Sequence, residues 1–142
     1  MNAPQAAFPW DAHELRHALW KGAGVAFVER MGFGWYDGMC CVLVRAMQRV
    51  LGPAAQLMIV GCQWHPACHV VCLYRGHYVD GDGISTACQL LTRWERVEMQ
   101  PCAYLRPFDV RLVHAAEILD DPHLVDEVVQ MLRALPTRAK RA

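Results

Sequence analysis

Three residue types that together make a nucleophilic unit occur in catalytic order: Cys40, then His69, then Asp80 or Asp82. Gly38-Met39-Cys40-Cys41 leads into a run to Leu51 whose apolar residues recur at helical spacing, and Gly52-Pro53 stops it. A thiol at such a helix start meets unpaired backbone N–H groups and the positive end of the helix dipole, which favour the nucleophilic thiolate. Cys40, Val44, Met47 and Leu51 share one helical face. Cys41 is turned about 100° away, in line with Arg45 and Gln48, so Cys40 is read as the inward thiol.

The rest of the unit lies on two β-rich runs, His69 to Tyr74 and His77 to Gly83, joined by Arg75-Gly76 as a tight hairpin turn. With a two-residue turn, Tyr74 faces His77, Val71 faces Asp80 and His69 faces Asp82, and the alternation of strands puts His69, Val71, Asp80 and Asp82 on one face. A carboxylate there fixes the imidazole tautomer and stabilises its cation. Register favours Asp82, directly across. Asp80, diagonal to the ring, stays within the strand, whereas Asp82 lies between two glycines where the chain is leaving it.

The Gly-x-Cys helix start, the His69-Val70-Val71 strand and the Tyr78-Val79-Asp80-x-Asp82-Gly83 strand end resemble small bacterial proteins of the papain-like and transglutaminase-like cysteine enzyme superfamily. The resemblance covers roughly Gly38 to Trp94. It implies Cys40 as nucleophile, His69 as base and Asp80 as orienting acid, with Asp82 as the competing choice. Two features depart from it: Cys41 duplicates the thiol, and no glutamine of the oxyanion-holding kind stands shortly upstream of Cys40.

Substrate contacts are expected from the loops beside the unit. Trp35 and Tyr36, in the glycine-rich Gly32 to Gly38 loop, are candidates for a cleft wall, against the commoner role of plugging a loop onto the core. Trp64 and His65, in the loop before His69, are candidates for substrate binding.

Two metal readings are weighed and set aside. Cys62, His65, Cys68 and His69 offer zinc-ligating atoms, but structural sites draw ligands as spaced pairs from separate turns, and neighbours on one strand point to opposite faces. Asp80-Gly81-Asp82-Gly83 looks like the start of a calcium loop, yet Leu91 stands where the bidentate glutamate belongs. No metal and no cofactor is expected.

A chain of 142 residues, 54% hydrophobic, is read as one domain over 1–142, with an N-terminal arm at 1–10 and a basic tail at 137–142. Fourteen basic and fourteen acidic residues cancel, which argues against a nucleic-acid partner. No apolar run approaches the roughly 20 residues that span a bilayer. Seven cysteines in a chain whose start lacks a signal-like pattern point to reduced thiols in a cytoplasm rather than a disulfide scaffold.

The positioning elements are read as follows. Asp11 and Glu14 start a helix near Ala12 whose buried side is Leu15, Leu19, Ala26 and Met31, with Gly22 and Gly24 weakening its middle. Gln56 to Cys62 is a central strand, and Thr86 with Gln89 caps a helix through Arg96. Val97 to Cys102 is an edge strand, Val110 to Val113 a short element, and Asp121-Pro122 opens a final amphipathic helix. The fold class is α+β and papain-like: a nucleophile helix on a small antiparallel sheet, with flanking helices. The expected function is cysteine-nucleophile acyl transfer on a peptide or protein substrate, as peptidase, amidase, deamidase or transglutaminase-like enzyme. The alternatives are a non-catalytic peptide- or protein-binding module on the same fold and, less favoured, a small zinc-binding protein.

Overall fold

Arg75 and Gly76 both take positive φ, 49° and 81°, the backbone that lets a two-residue turn match the twist of its strands. That turn joins β2 (His69–Tyr74) to β3 (His77–Asp80) with Tyr74 opposite His77, in the register expected from the sequence. The computed structural model describes residues 8–32, 34–35 and 38–137. Around the hairpin an antiparallel sheet takes the order β4-β3-β2-β1-β5, with β1 at Gln56–Gly61, β4 at Gly83–Ser85 and β5 at Tyr104–Pro107. Six helices accompany it among the described residues, so the chain is α+β.

The thiol helix, α3 (Cys40–Leu51), contains no Gly or Pro and ends at Gly52 with φ 90°. It buries Cys40 to Val44, Ala46 and Met47. Against it packs α6 (Pro122–Arg133), capped by Asp121 and burying Val125, Val128, Val129 and Leu132. Each such side chain contributes about 1.5–3 kcal/mol by leaving water. Arg45 fixes the approach through two bonds to Asp120, at 2.6 and 2.9 Å. These residues form one cluster with Ile59, Val70, Cys72 and Val79 on one face of the sheet. A smaller cluster of Val60, Val71, Leu90 and Trp94 fills the other face, beneath α4 (Ala87–Arg96). Thr86 and Gln89 form a reciprocal capping box at the start of α4, as read.

At the N-terminus Phe8 and Trp10 are buried, pinning the end of the arm. Asp11 caps α1 (Ala12–Trp20), and the Lys21-Gly22 break separates it from α2 (Ala23–Met31). Leu15 and Leu19 are buried as expected and Met31 is partly buried, but Ala26 is exposed; the break rotates α2 so that Gly24 and Phe27 face inward instead.

The edge strand expected over Val97 to Cys102 is absent. Met99 and Cys102 both have φ 56°, which no strand accommodates, and the edge is supplied just downstream by β5. Val110 to Val113 belongs to a short helix, α5 (Val110–Ala115). No helix of the described residues is long and apolar enough to cross a membrane.

Candidate active site

His69 opens β2 opposite Val60 of β1. On its other flank β3 stops at Asp80, whose place in the register is opposite Val71, so His69 has a strand neighbour on the β1 side alone. That end of the hairpin is where Cys40, the first residue of α3, reaches the imidazole. The contact therefore passes around the end of the sheet, from the α3 face to the face that His69 shares with Val71.

Within this corner His69 Nε2 lies 2.9 Å from Asp80 Oδ2, and the Cys40 thiol stands near enough to the same ring to raise its pKa. With Nε2 engaged by the carboxylate, proton exchange with the thiol falls to Nδ1. All three side chains are closed to solvent, with relative exposures of 2% for Cys40, 0% for His69 and 1% for Asp80. Burial alone pushes the His69 pKa down, but the hydrogen bonds and charges of Asp80 and Cys40 outweigh it and raise the value to about 9. For Asp80, burial pushes the carboxyl up, and the His69 bond and charge, the Arg93 guanidinium and the Asp82 N–H together hold it below its ordinary value. The arrangement thus favours an imidazolium between the Asp80 carboxylate and the Cys40 sulfur.

Arg93 of α4 supports the acid. Its Nη2 donates to Asp80 Oδ2 and its Nη1 to Asp82 Oδ2, the latter at 2.9 Å. Asp82 does not face His69: the chain turns after Asp80, and Asp80 pairs with Gly83 to start β4, a strand the sequence reading missed. Instead the Asp82 N–H donates to Asp80 Oδ1 at 2.9 Å, and the Asp82 carboxylate also meets Arg16 at 3.4 Å. Trp94 stacks on His69 with ring centroids 4.6 Å apart, and Trp20 Nε1 donates to Gly81 O. Gly81 is required here, because a Cβ would lie 2.8 Å from Trp35 Cβ. Arg93 and Trp94 carried a signal in the sequence: they sit side by side on the capped helix that follows the acid, one at the seam and one on the apolar face.

The remaining candidates divide. Trp35 is fully buried, donates Nε1 to Leu19 O at 2.8 Å and stacks on Phe27 at 5.7 Å, so it plugs the loop onto the core and walls no cleft. Tyr36 lies outside the described residues. Trp64 and His65 are exposed in the 62–68 loop. Cys41 is not turned outward: it is fully buried toward Arg45 and Asp120, and burial, then the Asp120 charge, push its pKa up to about 12. No group of three or more His, Cys, Asp or Glu side chains able to hold a metal occurs among the described residues.

Compared with protein-family models, curated proteins and solved structures, the chain matches none of them.

Proposed function

We propose that the chain is a cysteine-nucleophile acyl-transfer enzyme of papain-like arrangement, acting on an amide or peptide bond. The observation that carries this reading is the corner where Cys40, His69 and Asp80 come together, a buried carboxylate holding the imidazole and a thiol at a helix start beside the ring. In the first step the Cys40 sulfur, its proton having passed to His69, attacks the carbonyl carbon and the carbonyl π bond opens to an oxyanion. Main-chain N–H groups in the first turn of α3 point outward, without acceptors inside the helix, and serve as the donors. His69 then gives its proton to the leaving amine, the C–N bond breaks, and a thioester remains on Cys40. Water or a second amine, relieved of a proton by His69, attacks the thioester, the C–S bond breaks, and the Cys40 sulfur leaves beside the again protonated His69. Asp80 stabilises the imidazolium throughout, and Arg93 and the Asp82 N–H keep Asp80 ionised. All seven cysteines are free, which supports the reading of a reducing, cytoplasmic setting.

One observation favours a second reading, a non-catalytic binding module on the same fold: the thiol, imidazole and carboxylate are all closed to solvent. Iodoacetamide at near-neutral pH separates the two. An enzyme that opens to its substrate gives Cys40 alkylation faster than that of the exposed Cys88 and Cys102; a sealed module leaves Cys40 unmodified until the protein is denatured.

A further inference from the structure

The Cys40 site leaves a second pair of sulfurs unused. Cys62 follows the end of β1 and Cys68 precedes β2, and the backbone clamps the loop between them: Cys62 N donates to His65 O at 2.8 Å, and Cys68 N to Val60 O at 2.7 Å. Both sulfurs converge on one atom, Gln100 Oε1, at 3.2 Å from Cys62 and 3.9 Å from Cys68, close enough for each thiol to shift the pKa of the other. The Cys68 thiol also donates to His65 O at 3.7 Å, but the imidazole of neither His65, exposed at the loop tip, nor His69, held by Asp80, joins them, so the loop holds a dithiol.

We propose that Cys62 and Cys68 form a redox site that closes to a disulfide on reaction with a small hydroperoxide, separate from the Cys40 site. The two sulfurs have the unequal character this reaction uses. Burial pushes Cys62 up, but the Cys68 thiol and the backbone N–H groups of Trp64 and His65 bond its sulfur and bring its pKa below the ordinary value. Burial, then the bond and charge of Cys62, push Cys68 up to about 12. Cys62 is thus the attacking thiolate and Cys68 the resolving thiol. With Cys62 only 4% exposed, a compact oxidant fits and a bulky disulfide does not.

The Cys62 thiolate attacks the terminal peroxide oxygen, the O–O bond breaks, and the departing hydroxide or alkoxide takes up a proton. Cys62 is now a sulfenic acid, which no longer holds Cys68 up by its charge. The Cys68 sulfur, giving up its proton, attacks the Cys62 sulfur; the S–O bond breaks and water leaves. Two thiols supply two electrons, and with hydrogen peroxide the products are the disulfide and two molecules of water.

The test is to give the reduced full-length chain one equivalent of hydrogen peroxide and map its cysteines by mass spectrometry. The expected result is loss of two hydrogens from the peptide carrying 62–68, with the halves still joined after cleavage at Trp64, fragment ions placing the bond on Cys68 rather than Cys72, and reversal by dithiothreitol. In Cys68→Ser the expected product is a Cys62 sulfenic acid that dimedone traps. Oxidation confined to the exposed Cys88 or Cys102, or an uncrosslinked Cys62 sulfenic acid in the wild-type chain, would overturn the proposal. So would stoichiometric zinc in the purified protein that Cys62→Ser removes. The wild-type map decides even where a variant fails to fold.

Discussion

Asp80 meets His69 from two residues along the hairpin, Oδ2 to Nε2 at 2.9 Å, while Asp82, which an extended hairpin would place directly across from the ring, turns away to Arg93 and Arg16. The diagonal contact follows from where β3 ends. Its last residue is Asp80, and the tight turn into β4 takes Asp82 off the face before it can reach His69.

The two aspartates should therefore separate in mutagenesis. Asp80→Asn removes the charge that stabilises the His69 cation, and a loss of roughly 10³- to 10⁴-fold in turnover is expected. It also leaves Arg93 facing a neutral amide in a buried corner and lowers stability by about 3 kcal/mol. Asp82→Asn keeps the backbone N–H that bonds Asp80, so its turnover should stay near the wild-type value. Steady-state kinetics with a reactive ester, read beside thermal melts, checks the ranking.

Arg93 is a positioning residue, acting through Asp80. Arg93→Met keeps much of the side-chain bulk but removes both bonds to the aspartates, and a stability loss of about 2–3 kcal/mol is expected. A purely structural role would leave the pH profile in place. Here the alkaline limb of activity should move to higher pH, because without the guanidinium the charge on Asp80 Oδ2 serves His69 alone.

The pH dependence has a definite sign. His69 is raised from its ordinary 6.5 to about 9, so the folded protein holds this proton more tightly than the unfolded chain. Its stabilisation is fully present below pH 6.5 and is lost as pH rises through about 9. Because the leaving amine needs the same proton, acylation should fall over that alkaline window too. Asp80 acts in reverse: its stabilisation is present above the ordinary carboxylate value and is lost as pH falls through the lower folded value. Denaturant melts from acid to alkaline pH, on the wild type and His69→Gln, check both limbs.

Much of this corner was legible in the sequence because short-range rules govern it. Arg75-Gly76 dictates a hairpin, Gly52-Pro53 a helix stop, Asp121-Pro122 a helix start, and the alternation of His69, Val71 and Asp80 a shared face. What was not legible depended on contacts between distant segments. Cys41 looked outward beside Arg45, yet α6 arrives with Asp120 and covers both. Trp35 reads as a cleft wall or, more commonly, a core plug, and only α1 and α2, supplying Leu19 O and Phe27, decide for the plug. β4 was hidden because Asp80-Gly81-Asp82-Gly83 reads as one long turn; its pairing shows only once Gly83 lies opposite Asp80.

The two adjacent thiols should differ completely in function. Cys41→Ala removes a buried sulfur with a pKa near 12 and should cost about 1 kcal/mol of stability while leaving turnover near the wild-type value. Cys40→Ala should abolish turnover. Equal losses in the two variants would place the nucleophile elsewhere.

The most direct measurement is to trap the acyl-enzyme: incubate the protein with p-nitrophenyl acetate, quench in acid, and locate the acetyl group by peptide mapping. The account predicts an acid-stable, hydroxylamine-sensitive thioester on Cys40, formed with a burst of nitrophenol and strongly reduced in His69→Gln. Acetylation absent from Cys40, or spread over the exposed Cys88 and Cys102 at the same rate in wild type and His69→Gln, would contradict it.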